Sequence, residues 1–303
     1  MPVSLHALHT TSNGGDAKFD DAHTRVVDRS IGDFIREARR LSDEQVTKIL
    51  EYQRAHSSRF GEAAIALGLA SSDDVLWALS QQFHYPYAQS DGAVFDEELV
   101  TAVDPFSDQS EVFRELRSQL MMGVLASDQP RRALAVVSPD IGDGKSFFAA
   151  NLAVSFSQLG GRTLLLDADM RTSRLHHIFG VDNQTGLSSV LANRCECDVI
   201  QQVRDLPNLF VMTVGTLPPN PLELLQRPAF GILMKELLGK FDHVVVDTPA
   251  AVHGADARVL AAQSGAAVVI SRKGETRMSS LQGLLDGLGK GPCKLAGVLM
   301  NEH

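Results

Sequence analysis

The sequence predicts an α/β fold in which a doubly wound parallel sheet with helices on both faces follows a small, mainly helical repeat domain. Six short apolar segments alternate with amphipathic helical segments, and a glycine-rich turn joins the first apolar segment to a helix. The apolar segments are residues 133–137, 163–166, 209–213, 243–246, 267–271 and 295–300. An internal repeat near the N-terminus indicates the separate helical domain.

Composition and charge limit the class of protein. The 303 residues are 44% hydrophobic and 21% charged, which is enough apolar sequence for two compact domains. The formal net charge of -9 favours neither a nucleic acid nor an anionic lipid surface as a partner of the whole chain. The sequence shows no signal-peptide pattern and no apolar run near the ~20 residues that span a bilayer. We therefore expect a cytoplasmic protein that is peripheral at the inner membrane through a partner.

The helical repeat has a period of 29 residues. The segment around Gly32 recurs around Gly61, and Ser42 and Ser71 begin the second helix of each unit in a capping pattern. A stretch rich in glycine, proline and acidic residues follows the repeat, so we place a domain boundary near residue 104. The predicted division is a mobile tail over 1–25, a helical repeat domain over 26–103 and a sheet domain over 104–303.

The turn after the first predicted strand has the features of a phosphate-binding loop (P-loop). The glycines and the beginning of the next helix let backbone N–H groups point at a phosphate. Lys145 is expected to neutralise the β and γ phosphates, and Ser146 to offer its hydroxyl to magnesium. Pro139 stands where the strict pattern has glycine, which predicts a variant loop. The nucleotide-binding prediction covers the consecutive residues Gly142, Asp143, Gly144, Lys145, Ser146 and Phe147.

Three aspartates follow later strands. Asp167 and Asp169 come at the end of the second predicted strand, where alternation puts both carboxylates on one side. One can hold magnesium while the other accepts a proton from an incoming hydroxyl, although such a pair is as often a turn and helix cap. Asp247 ends an all-valine strand and is expected to support magnesium, with a cap for the next segment as the alternative.

Together, the variant P-loop, the Asp-x-Asp-x-Arg segment at 167–171 and the Asp-Thr-Pro segment at 247–249 resemble the bacterial tyrosine kinases. The resemblance covers residues 104–303 and implies ATP and Mg²⁺ as cofactors, with transfer of phosphate to a protein tyrosine. It implies that Lys145 contacts phosphate, that Asp167 is the base for a tyrosine hydroxyl, and that Asp169 assists as a magnesium ligand. It also implies that Ser146 and Asp247 hold magnesium and that Asn301 contacts the adenine.

A Glu-x-x-Arg-x-x-Arg pattern formed by Glu111, Arg114 and Arg117 resembles the oligomerisation signature of the same family. The resemblance implies a ring-like homo-oligomer. The alternative is a solvated helix face, since the three residues lie on one side of a helix.

The whole chain resembles the chain-length-determinant tyrosine kinases of exopolysaccharide operons, the EpsG type. This implies control of chain length, polymerisation or export through an inner-membrane polysaccharide chain-length determinant protein. The repeat domain resembles the N-terminal domain of type II secretion and pilus ATPases, some of which bind cyclic di-GMP. The second repeat keeps Arg59 and Gly68 of that ligand pattern, but the first has Ser30 and Arg39 instead. A docking or spacer module is therefore favoured over a nucleotide sensor.

The tyrosines depart from the family pattern, because Tyr52, Tyr85 and Tyr87 all lie in or beside the repeat and residues 297–303 contain none. We therefore expect no phosphorylation of a C-terminal tyrosine cluster. One alternative is a non-catalytic, ATP-driven assembly switch of the same machinery. Another is a positioning ATPase of the ParA/MinD type, which is disfavoured because Asp140 occupies the position of its signature lysine.

Overall fold

The computed structural model of the chain describes residues 29–82, 95–194 and 198–302. The predicted tail over 1–25 and two of the tyrosines, Tyr85 and Tyr87, lie outside the described residues. Within the part of the chain that the structure describes, no helix combines the length and apolar character that crossing a membrane requires.

Four helices form the N-terminal module: α1 Ile31–Arg39, α2 Asp43–His56, α3 Phe60–Ala66 and α4 Ser72–Gln82. The third begins 29 residues after the first, and the fourth 29 residues after the second, which confirms the predicted repeat of helix pairs. Ser30 and Ser42 cap α1 and α2 with reciprocal side-chain and backbone hydrogen bonds. Ile35 and Ile49 are fully buried in a small core. That this module is a separate domain stays a prediction.

A seven-stranded sheet forms the centre of the rest of the chain. Its strands are β1 Ala133–Val137, β2 Thr163–Asp167, β3 Ile200–Gln202, β4 Leu209–Met212, β5 His243–Asp247, β6 Gly265–Arg272 and β7 Lys294–Asn301. The order is β3-β4-β2-β5-β1-β6-β7, and every pairing is parallel except that of β3 with β4. The six predicted strands are confirmed. The antiparallel strand β3 was not predicted, because it has three residues and none of them is buried.

Helices cover both faces of the sheet, as predicted. They are α5 Val100–Val103, α6 Asp108–Met122, α7 Lys145–Ser157, α8 Leu175–Phe179, α9 Leu187–Leu191, α10 Pro221–Leu225, α11 Pro228–Lys240, α12 Asp256–Ser264 and α13 Met278–Gly289. Strand alternation separates the two faces: Leu134 and Val136 pack with α6 and α7, whereas Ala135 and Val137 pack with α12 and α13. The carboxyl ends of β1, β2 and β5 therefore meet between these layers.

Residues 95–103 pack against the helices of the sheet, ahead of the boundary predicted near residue 104. Leu99 is fully buried in the same hydrophobic cluster as Phe148 of α7. The Asn151 side chain on α7 accepts hydrogen bonds from the backbone N–H and the hydroxyl of Thr101, both at 3.0 Å, and donates to the Glu98 carbonyl at 2.7 Å. We call residues 95–104 the linker segment. Its side-chain contacts join it to α7, and the position of the domain boundary stays a prediction.

Candidate functional site

The loop between β1 and α7 has the backbone geometry of a phosphate cradle. Gly142 and Gly144 have φ angles of 84° and 96°, in the left-handed region that glycine adopts without strain. A Cβ atom on Gly144 would lie 2.5 Å from Asn301 Nδ2, so a side chain there would have to displace the Asn301 amide. Lys145 is the first residue of α7 and is buried, and Ser146 is half-buried in the first turn. The loop places N–H groups, a helix N-terminus and a cation together.

The Asp143 side chain braces this loop from within. Its carboxylate accepts hydrogen bonds from the Asp140 N–H at 2.9 Å and the Thr276 hydroxyl at 2.8 Å, and only 2% of the residue is exposed. The sequence predicted Asp143 as a nucleotide contact. Because both hydrogen bonds hold the carboxylate in place, Asp143 can contact phosphate only through its backbone N–H.

Asp167 and Asp247 lie side by side at the carboxyl ends of β2 and β5. The two residues are register partners, and the Ala168 N–H donates to the Asp247 carbonyl at 2.9 Å. Both side chains are almost completely buried. Because β5 also pairs with β1, which leads into the P-loop, the Asp247 carboxylate lies close enough to the P-loop to be affected by the Lys145 charge and the Ser146 side chain.

The Asp167 carboxylate is hydrogen-bonded through both oxygens. Oδ1 accepts the Asp169 N–H at 3.1 Å, and Oδ2 accepts the Ser173 hydroxyl at 2.8 Å. Burial raises the pKa of this carboxyl well above its usual value, and the negative charge of Asp247 raises it further, while the Ser173 hydrogen bond acts in the opposite direction. Asp167 is therefore more basic than an exposed aspartate.

The Asp169 carboxylate caps the turn that follows it. Oδ1 accepts the N–H groups of Arg171 at 3.0 Å and Thr172 at 2.8 Å, and Oδ2 accepts the Thr172 hydroxyl at 2.7 Å. This is the turn-cap arrangement that the sequence left as an alternative. A role of Asp169 at magnesium stays a prediction.

Asp247 has the environment that a cation would complete. Both carboxylate oxygens are buried and neither makes a hydrogen bond. Burial raises its pKa to about 7, and the Ser146 side chain and the Lys145 charge oppose that rise. The described residues hold no cluster of three or more potential His, Cys, Asp or Glu ligands. The two Asp247 oxygens without hydrogen bonds and the nearby Ser146 side chain fit Mg²⁺, which usually keeps several waters and binds one or two carboxylates together with substrate phosphates.

An apolar groove of about 560 Å³ runs from the P-loop along α6 and the end of β7. Phe113 and Phe147 line it with ring centroids 6.1 Å apart, and Met300 and Asn301 form part of its opposite wall. The Asn301 side chain donates to the Asp143 carbonyl at 3.1 Å, which ties β7 to the P-loop. The groove can accept a planar, mostly apolar group attached to a phosphate chain.

The three residues of the predicted oligomerisation pattern lie on α6 and make contacts within the chain. Arg114 forms an ion pair with Glu111 at 2.7 Å and donates to the Pro105 carbonyl at 2.5 Å. Arg117 donates to the Ser155 carbonyl of α7. These bonds attach α6 to Pro105, directly after the linker segment, and to the P-loop helix.

Sequence reasoning missed two side chains at this site, Ser173 and Thr276. Thr276 follows β6 and bonds a carboxylate 133 positions away in the chain. Ser173 stands six positions after Asp167, in a turn with no periodic pattern. Neither spacing carries a signal that distinguishes these hydroxyls from ordinary loop residues.

The fold and the site define a P-loop nucleotide-binding protein with a variant phosphate loop on a mostly parallel sheet. The family model of the CobQ/CobB/MinD/ParA nucleotide binding domain matches residues 134–303. Tyrosine-protein kinase YwqD of Bacillus subtilis (strain 168) is 32% identical over 210 residues, which cover 69% of this chain and 88% of that protein.

Solved structures agree with this relationship. The chimerical protein CapA2B2 is 32% identical, with a TM-score of 0.64 over 74% of this chain and 97% of that one. The kinase domain of the Escherichia coli tyrosine kinase ETK is 28% identical, with a TM-score of 0.63 over 67% of this chain and 79% of that one. The chain therefore belongs to the bacterial tyrosine kinase family, within the CobQ/CobB/MinD/ParA group of nucleotide-binding domains.

Proposed function

We propose that this protein is an ATP- and Mg²⁺-dependent protein tyrosine kinase that regulates exopolysaccharide chain length, polymerisation or export. The observation that carries the proposal is the pairing of two buried aspartates, Asp167 and Asp247, beside the P-loop lysine. One carboxylate is held by hydrogen bonds and the other has both oxygens unpaired, which suits a base and a metal ligand respectively.

The residues of the site divide the work of phosphoryl transfer. The backbone of the P-loop and Lys145 hold the phosphates of ATP, and the apolar groove beside Phe147 and Asn301 receives the adenine. Ser146 and Asp247 would hold Mg²⁺, which neutralises charge on the β and γ phosphates when bound. Asp167 orients the tyrosine hydroxyl in line with the γ phosphorus and accepts its proton.

The proposal is tested by incubating the purified chain with ATP, Mg²⁺ and the cytosolic segment of the membrane polysaccharide co-polymerase, and mapping phosphotyrosine by mass spectrometry. We expect phosphotyrosine on one of the two proteins. Lys145→Met should lower its formation by about 100- to 1,000-fold, because a cation at the phosphates stabilises the transition state. The matched control is Lys235→Met, at an exposed lysine on α11.

A different result would favour the second candidate function, a non-catalytic assembly switch. If phosphotyrosine never exceeds the Lys145→Met background while assembly still follows ATP concentration, the kinase proposal is wrong. The sequence feature that favours the switch is that the three tyrosines, Tyr52, Tyr85 and Tyr87, all stand before the sheet domain. A ParA/MinD-type positioning role has no observation of this kind in its favour.

We propose a ring-like homo-oligomer with Glu111, Arg114 and Arg117 at the contact between subunits, and an inner-membrane polysaccharide chain-length determinant protein as its partner. Arg114→Ala/Arg117→Ala should give a smaller species in multi-angle light scattering. The variant loses two guanidinium groups at the proposed contact, and these groups also hold α6 in its place within the chain. Gln119→Ala, at an exposed residue of the same helix, is the control and should keep the wild-type mass. An unchanged mass of the double variant would remove these residues from the subunit contact.

We propose the helical repeat module as a docking or spacer element, with cyclic di-GMP as the alternative ligand. Arg39 of the first repeat is paired with Asp74 at 2.6 Å, in place of the glycine of the ligand pattern. Calorimetric titration of the full chain with cyclic di-GMP should therefore give no heat. Binding that disappears in Arg59→Ala would show that the module is a nucleotide sensor.

A further inference from the structure

Ser173 was not among the predicted site residues, but its side chain contacts one of the two buried aspartates. Its hydroxyl donates to Asp167 Oδ2 at 2.8 Å, and the residue is half-buried where the turn after β2 enters α8. Asp167 itself is fully buried, so this bond replaces one that water would otherwise make. No other side chain donates to this carboxylate among the hydrogen bonds of the described residues.

The residues before and after Ser173 are held in place by their own contacts. Before it, the Thr172 hydroxyl bonds Asp169 Oδ2 at 2.7 Å. After it, Arg174 forms an ion pair with Glu98 of the linker segment, and Leu175 is completely buried. Ser173 can therefore reach Asp167 without ordering a loop at the moment of reaction, which is the condition for a preorganised contact.

The hydrogen bonds also fix which way the Asp167 carboxylate faces. A carboxylate has about four lone-pair positions, and here one on each oxygen is used, by the Asp169 N–H and the Ser173 hydroxyl. The Ser173 hydroxyl has one proton and uses it in the hydrogen bond to Asp167. His176 Nδ1, at 3.4 Å from the Ser173 oxygen, can therefore act only as a donor to that oxygen. Without Ser173, one oxygen would lose its donor next to the like charge of Asp247, and the carboxylate would turn.

We propose that Ser173 is a positioning residue that holds Asp167 in the orientation required to accept the proton of the acceptor hydroxyl. The inference rests on the proposed kinase function. In the reaction, the tyrosine oxygen forms a bond to the γ phosphorus, and the bond from that phosphorus to the β,γ-bridging oxygen breaks, so that ADP leaves. The phenolic proton goes to Asp167, and Ser173 keeps its own proton throughout.

The experiment compares Ser173→Ala, Ser173→Thr and the control Ser189→Ala in the full chain with ATP, Mg²⁺ and the protein acceptor. Ser189 is a half-buried serine on α9, away from the aspartates. Ser173→Ala should lower kcat by about 10- to 100-fold, the range for one hydrogen bond to a charged group. The KM for ATP should stay within about twofold, because the phosphate contacts are intact, and Ser173→Thr should restore kcat to within about threefold.

Opposite results overturn the inference. An unchanged kcat in Ser173→Ala, a parallel rise of KM, or no rescue by threonine would reduce Ser173 to a structural residue. If the alanine variant does not fold, Ser173→Cys takes its place, since it keeps a side chain of similar size with a weak donor. If the wild-type protein transfers no phosphate, the proposed function fails and the orientation is read directly from crystal structures. Rotation of the Asp167 carboxylate in Ser173→Ala then supports positioning, and an unmoved carboxylate refutes it.

Discussion

Asp167→Asn is expected to lower kcat for tyrosine phosphorylation by about 100- to 10,000-fold, the range that general acid–base catalysis contributes. The amide keeps the size of the side chain but cannot accept a proton at neutral pH. The Ser173 hydroxyl can still donate to the amide oxygen, whereas the Asp169 N–H loses its acceptor because the amide nitrogen takes the place of Oδ1. Steady-state kinetics with a phosphotyrosine readout measure the change.

The KM for ATP distinguishes a catalytic role of Asp167 from a binding role. We expect it to stay within a few-fold of the wild type, because Lys145 and the P-loop backbone hold the phosphates. Asp286→Asn, at an exposed position on α13, is the matched control. If Asp167→Asn retains more than about a third of wild-type kcat, the proton is accepted elsewhere and the role of Asp167 as base has to be abandoned.

The second large effect is on stability: Asp247→Asn should stabilise the metal-free protein at alkaline pH. The pKa of Asp247 is raised from 3.8 to about 7 in the folded chain, so below pH 3.8 the group is protonated in both states and has no effect on pH dependence. As the pH rises from 3.8 to 7, the unfolded chain loses this proton first, and stability falls. Above pH 7 the accumulated loss is constant, at up to about 4 kcal/mol.

Denaturant unfolding in EDTA at pH 5 and pH 8 measures this effect. The wild-type protein should lose more free energy of unfolding between these two pH values than Asp247→Asn, which has no proton to release. Asp167, whose pKa is raised in part by the Asp247 charge, acts in the same direction. Its contribution becomes smaller in Asp247→Asn, which widens the difference between the two proteins. Asp286→Asn should follow the wild type, and equal pH dependence of all three proteins would contradict an unpaired, buried Asp247.

The sheet was predictable because its central strands are buried on both faces. The runs at 133–137 and 244–246 are apolar and are followed by turn residues, a pattern with few alternatives in an α/β chain. Strand β3 lies at an edge, and only its pairing with β4 makes it a strand. The packing of residues 95–103 on α7 was not predicted for a related reason: Thr101 and Asn151 are 50 positions apart, so their bonds leave no local pattern.

At the site, the sequence indicated which residues gather but not which way their side chains face. Parallel strands bring Asp167 and Asp247 to one edge, and that follows from strand order alone. Side-chain direction depends on the hydrogen-bond partners. The Asp143 carboxylate bonds Thr276, 133 positions away, and spacing cannot indicate such a contact. The Asp169 carboxylate bonds the turn that directly follows it, which the sequence offered only as an alternative to a magnesium ligand.

The linker segment also determines how the phosphate site could be studied in isolation. A fragment that starts at residue 104 would remove Leu99 from its place against α7 and expose apolar surface there. It would also strip the Asn151 amide of the bonds that it makes to Glu98 and Thr101, in the helix that begins with Lys145. Loss of activity in such a fragment would report a damaged P-loop helix rather than a missing regulator. An expression fragment of the catalytic region has to begin before Phe95.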